Sequence, residues 1–187
     1  MLEALVNWDY WAFEVIYQPA GHALDGLMST LSAKSVWIPL YLLIVQQTIY
    51  KYGKAAWLPL LAMILVVIAA DQMTSAWMKP YFERLRPCYD PLLQDMNFTR
   101  RCGGRFGFAS SHAANTMGLA VLVNCLFKNS WAKAVGLWAF GVAYSRVYLG
   151  VHFPLDVIAG MGTGALLSLA IWILLKWQLQ SDLSALQ

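Results

Sequence analysis

The chain has 187 residues, 59% hydrophobic and only 12% charged, with a mean hydropathy of +0.53. A soluble domain of this length carries about 25% charged residues, so the composition points to one membrane-embedded unit over 1–187 rather than a large soluble core. A net charge of +3 is too small to suggest a nucleic-acid partner.

The N-terminus "MLEALVNWDYW" holds the acidic Glu3 and shows no cleavage site after a clean apolar run, so no signal peptide is expected. In the following "LEALVNWDYWAFEVIYQ", Leu5, Trp8, Ala12 and Val15 recur at helical spacing, while Glu3, Asn7 and Glu14 fall elsewhere. That pattern predicts an amphipathic helix lying in the interface. The rival reading is a sixth span running into residue 31, interrupted by Gly21, His22 and Asp25.

About five transmembrane helices are predicted next, at residues 35–50, 55–78, 108–127, 131–148 and 153–176. Roughly 20 apolar residues cross the hydrocarbon, and helices satisfy their own backbone there. The fold class expected is therefore all-α, a polytopic membrane helix bundle. The connections "KYGK" and "KNSWAK" hold Lys51, Lys54, Lys128 and Lys133 and no acid, with Lys176 on the same side. The positive-inside rule makes that face cytoplasmic. By parity the N-terminus, the loop 79–107 and the turn 149–152 lie on the extracytoplasmic face of the cell (inner) membrane.

Three polar stretches meet on that outer face: "KPYFERLRP" (79–87), "FASSHAAN" (108–115) and "SRVYLGVHFPLD" (145–156). Polar clusters at membrane depth are costly and point to function. Lys79, Arg86 and Arg146, with Arg84 and Arg105, converge there, and cations gather around an anion. Ser110 suits the N-cap of the third span, and Pro154 suits the first turn of the fifth. Both helix N-termini favour a bound phosphate. His152 and Asp156 are four apart and share one helical face. A carboxylate on one ring nitrogen frees the other as base or nucleophile. His112 sits beside the proposed N-cap, whereas His22 reads as a packed interfacial residue. Two histidines and an aspartate could also bind zinc, but the surrounding cations would repel a divalent ion. No metal site and no cofactor are expected.

These stretches resemble the type 2 phosphatidic acid phosphatase family, whose motifs are K-x6-RP, PSGH and SR-x5-H-x3-D. Here they read Lys79, Arg86 and Pro87; then "ASSH" with Ser110 and His112; then Ser145, Arg146, His152 and Asp156. The first and third match fully. The second carries Ala109 for Pro and Ser111 for Gly, and the backbone N–H at Ser111 is kept. The resemblance implies a metal-independent lipid phosphatase. In it His152 attacks phosphorus, Asp156 orients His152, and His112 protonates the leaving oxygen and then activates water. Lys79, Arg86, Arg146, Ser110 and local N–H groups, including that of Ser111, hold the phosphate oxygens. The related haloperoxidases hold vanadate in a similar constellation, which the hydrophobic spans and short loops disfavour here. A non-catalytic membrane scaffold is the different-class alternative, opposed by the intact motif residues.

The partners expected are a lipid phosphate substrate and the bilayer; the sequence leaves the oligomeric state open. Arg84, Arg100, Arg101 and Arg105 offer extra cations for a headgroup with a second phosphate. Undecaprenyl diphosphate is the leading substrate expectation. Phosphatidylglycerol phosphate, phosphatidic acid and a lipid A phosphate are the alternatives. Cys88 and Cys102 share the outer loop, where an oxidising compartment permits a disulfide. Cys125 reads as a small core residue. Gly160 and Gly164 are expected to permit close helix packing.

Overall fold

The computed structural model describes every residue except 1, 19–20, 97, 99–101 and 186–187, and among these the side chains of 3–178. The described residues form an all-α bundle. Its elements are α1 (Leu2–Ile16), α2 (Asp25–Ser32), α3 (Ile38–Tyr52), α4 (Trp57–Gln72), α5 (Lys79–Phe82), α6 (Ser111–Phe127), α7 (Ser130–Tyr148) and α8 (Pro154–Ala185).

Among the described residues, two helical stretches are long and apolar enough to cross a membrane, Lys34–Phe82 and Pro154–Gln178, each with a hydropathy of 2.0. The expectation of about five spans is corrected to these two. The predicted first and second spans fall within one of these stretches, in which α3 is capped at Gly53 and a short 3-10 turn at Gly53–Ala56 leads into α4. The predicted third and fourth spans are helices, but α6 has only 17 residues, and the 19-residue α7 carries Lys133 and Arg146. The apolarity of α6 has another cause. It is the central helix, with Ala113, Ala114, Leu122 and Val123 fully buried.

α6 lies against α8 at a very close crossing. A Cβ on Gly164 would stand 2.0 Å from the Ala114 carbonyl oxygen, and one on Gly160 would stand 2.4 Å from that of Ser110. Only glycine admits such an approach, as expected for these two positions. Large apolar side chains on the outer surfaces stay exposed, among them Leu42, Trp57, Leu137, Ile173 and Trp177. Such a belt is costly in water and suits a bilayer.

α1 is helical as predicted. Leu5, Trp8, Trp11 and Val15 are exposed, whereas Asp9, Ala12 and Phe13 are buried. The apolar stripe therefore faces the bundle's surroundings, while an acid faces inward. Phe13 packs against Phe153 at the start of α8, with ring centroids 5.2 Å apart.

At the opposite end of the bundle, Lys51 Nζ donates to the Leu126 carbonyl at 2.5 Å, in the last turn of α6. A cation suits a helix C-terminus, where carbonyls lack partners. This lysine has a packing role beside its topological one.

Candidate active site

The site gathers where the end of α5, the N-termini of α6 and α8 and the C-terminus of α7 meet. α8 starts at Pro154, whose ring presets the first helical turn. Two residues on, the Asp156 carboxylate reaches back so that Oδ2 accepts from the Phe153 N–H at 3.1 Å. This is half of a capping box, satisfying a donor that the helix itself leaves free. The same oxygen lies 3.3 Å from His152 Nδ1. On the other side of the ring, Arg86 Nη1 lies 3.4 Å from Nε2. A guanidinium only donates, so Nε2 offers its lone pair and Nδ1 carries the proton toward Asp156. His152 is 2% exposed and Asp156 wholly buried. Burial, followed by the charges of Arg86, Arg146 and Lys79, holds His152 well below the ordinary imidazole value. The ring is thus kept neutral, as a nucleophile requires.

The cations are placed by different elements. A π-helical turn at Met73–Met78 continues α4 and sets the register of Lys79. Lys79 Nζ donates to Ser111 Oγ at 2.5 Å, and Ser111 also meets Thr74 and Ser75 at 2.9 and 2.8 Å. The Ser111 side chain therefore fixes Lys79. Arg86 is held by the carbonyls of Phe106 and Val151, both at 3.2 Å. Arg146 Nη1 donates to Ser32 Oγ, a contact from α2. Ser110 occupies the predicted N-cap position of α6, but its hydroxyl makes no capping bond, which corrects that expectation. Its backbone N–H donates instead to the Asp156 carbonyl at 2.9 Å, locking α6 to α8. Ser110 Oγ and Arg146 Nε are buried without a hydrogen-bond partner among the described residues.

Arg84 joins the site through two carboxylates. Its Nη1 donates to Asp156 Oδ1 at 2.9 Å, its Nη2 pairs with Asp9 Oδ2, and its guanidinium stacks 4.4 Å over the Phe153 ring. Arg105 is exposed, and its carbonyl accepts from the Arg86 N–H at 3.1 Å. Arg100 and Arg101 lie outside the described residues. Cys88 and Cys102 form a disulfide, and Cys125 is a free thiol on α6. Among the described residues no group of three His, Cys, Asp or Glu side chains is arranged to hold a metal ion.

Two participants went unrecognised in the sequence. One is Asp9, an acid on α1. Its only signal was its place three and four residues before the buried Ala12 and Phe13. Burial raises its carboxyl above the ordinary range, while bonds from Arg84 and the Leu155 N–H act against that rise. Lys34 lines, with His112, Asn115 and Thr116, a cavity of about 330 Å³. Tyr41, Val67 and Leu119 border both that cavity and an apolar groove of about 440 Å³ formed by α3 and α4.

A family model described as the PAP2 superfamily matches residues 56–180, two thirds of the chain and nearly all of this site. The chain belongs to the PAP2 superfamily. Among curated PAP2 relatives, a Lipid A 4'-phosphatase of Bacteroides thetaiotaomicron is 38% identical over 84% of this chain and 74% of its own. A Lipid A 4'-phosphatase of Porphyromonas gingivalis is 35% identical over 75% of this chain and 61% of its own. The crystal structure of a transmembrane PAP2 type phosphatidylglycerolphosphate phosphatase from Bacillus subtilis superposes with a TM-score of 0.68. It is 27% identical, with 90% of this chain and 84% of that one covered. The protein is thus an integral-membrane, metal-independent lipid phosphatase of the PAP2 type, working on a lipid in the bilayer.

Proposed function

We propose that this enzyme removes a phosphate from a multiply phosphorylated glycolipid of the lipid A type, through a phosphohistidine at His152. The mechanistic part is carried by one observation. His152 is buried, with Nδ1 turned to Asp156 and Nε2 turned to a cation. In the first step the Nε2 lone pair attacks phosphorus and the phosphorus–oxygen bond to the lipid breaks. His112, its pKa held down to about 3 in the free site by burial and the Arg146 charge, takes up a proton beside the negative charge of the bound phosphate and gives it to the departing oxygen. In the second step His112 takes a proton from water, whose oxygen attacks phosphorus, and the phosphorus–nitrogen bond breaks to release inorganic phosphate. Lys79, Arg86, Arg146, Ser110 and the Ser111 N–H hold the remaining oxygens. The unpartnered Ser110 Oγ and Arg146 Nε support this, since buried polar atoms need partners. Fixed cations stabilise phosphoryl transfer here without a metal step.

The substrate reading moves from undecaprenyl diphosphate to a lipid A phosphate on the strength of the two relatives at 38% and 35% identity that carry that name. Lys34, beside His112, supports it by offering a cation for a second charge on the headgroup. The adjoining apolar groove suits an acyl chain. We read residues 1–187 as one catalytic unit, with the site on the extracytoplasmic side opposite the lysine-bearing connections.

The test is phosphate release by purified protein from four lipids: a lipid A, phosphatidylglycerol phosphate, undecaprenyl diphosphate and phosphatidic acid. A preference of about tenfold or more in kcat/KM for lipid A is expected, equivalent to about 1.4 kcal/mol. Equal rates on all four, or preference for another, would overturn the substrate reading. A fully active His152→Ala would overturn the mechanism.

A further inference from the structure

The N-terminal helix contributes a wholly buried acid that the mechanism above does not use. Asp9 is 0% exposed and lies on the inner face of α1. Its Oδ1 accepts from the Leu155 N–H at 2.8 Å, and its Oδ2 pairs with Arg84. Leu155 is the second helical residue of α8, so its N–H is one of the donors a helix start leaves unsatisfied. Asp9 supplies the cap from another helix, where the dipole also favours a negative charge. Arg84 then bridges Asp9 to Asp156, whose second oxygen faces His152. The chain of contacts runs without a gap from α1 to the histidine.

We infer that Asp9 is a positioning residue that fixes the Asp156–His152 pair through Arg84 and the first turn of α8. The inference rests on His152 and Asp156 being the reacting pair. The bridge has two consequences. It fixes the orientation of the Asp156 carboxylate, because one oxygen is occupied by Arg84 and the other is left for His152 Nδ1–H and Phe153 N–H. It also divides the Arg84 charge between two carboxylates. Asp156 thereby keeps more negative charge to set against the imidazolium that forms when His152 takes the phosphoryl group. Replacing Asp9 by Asn frees Arg84 to pair with Asp156 alone and removes that reserve.

A neighbouring contact separates this effect from simple docking of α1. Tyr10 donates to Asp90 Oδ2 at 2.5 Å and ties the same helix to the outer loop, and among the described residues it makes no hydrogen bond to Arg84, Asp156 or His152. The experiment compares Asp9→Asn, Tyr10→Phe and His152→Ala as full-length protein in lipid nanodiscs. It measures kcat, KM and thermal unfolding for each. In metal sites, losing an outer partner of an active-site group costs about 10- to 100-fold. A fall of that size in kcat is expected for Asp9→Asn, with KM changed less than about threefold. Tyr10→Phe is expected to lower the unfolding temperature while keeping kcat within about threefold of the parent. Equal losses of kcat in Asp9→Asn and Tyr10→Phe would overturn the inference, since both would then act by loosening α1. Parent kcat in Asp9→Asn beside an inactive His152→Ala would overturn it as well. An active His152→Ala would instead remove the reading on which it rests.

Discussion

Gly107 has no side chain, and the site leaves no room for one. A Cβ there would stand 2.7 Å from Asp156 Oδ2 and 3.2 Å from Arg86 Cγ. Ordinary contact begins near 3.4 Å, so in Gly107→Ala the carboxylate must retreat by about 0.7 Å. That oxygen is the one facing His152 Nδ1 and bonded to the Phe153 N–H. Nor is it a loose tip, because Arg84 holds the other oxygen. The histidine must turn with its partner or lose it. A misplacement of about 1 Å at a reacting group costs on the order of 100-fold in rate. We expect kcat of Gly107→Ala to fall roughly 10- to 100-fold, about 1.4–2.7 kcal/mol of transition-state stabilisation. Overpacking adds about 1–3 kcal/mol of destabilisation. The assay is phosphate release under saturating lipid, with circular dichroism to confirm a helical, folded protein. A folded Gly107→Ala with parent kcat would refute the view that the Asp156–His152 contact is tightly set.

Gly164→Ala would place Cβ 2.0 Å from a backbone oxygen of α6, whereas Gly162 has open space around it. The first change should abolish or sharply lower the unfolding transition and the second leave it near the parent's, as followed by thermal scanning in detergent. Reduction of Cys88–Cys102, 14 residues apart, should add two hydrogens by mass spectrometry; a loop of this size stabilises by about 3 kcal/mol. The double serine variant should therefore unfold at a lower temperature, and an unchanged transition would count against it. The lowered value of His152 fixes the sign of its pH dependence. As pH falls through ~6.5, where an ordinary imidazole takes up its proton, His152 stays neutral and nucleophilic. The acid limb of kcat/KM due to His152 should thus lie below ~6.5, and a limb above it would contradict the burial argument.

The site was more legible in the sequence than the bundle around it. Lys79, Arg86, His112, Arg146, His152 and Asp156 could be read as a set because the chemistry dictates their identity and three short motifs carry them. Segment positions were legible too, since each apolar run became helix. The number of spans was not, because the apolarity of a central helix such as α6 is indistinguishable from that of a lipid-facing one. The link between Asp9 and Arg84 was hidden for a related reason. Their meaning lies in a pairing across 75 residues that no local pattern records. Ser110 shows the limit of capping signals: the residue stands at the helix start, but its hydroxyl serves no cap.

The central claim is a phosphoryl group carried on His152. Chemical quenching of the enzyme during turnover of lipid A, followed by peptide mass spectrometry at neutral to basic pH, tests it most directly. The account predicts an acid-labile phosphate on the peptide bearing His152, lost in His152→Ala. A phosphate on any other residue, or phosphate release by His152→Ala at the parent's rate, would contradict it.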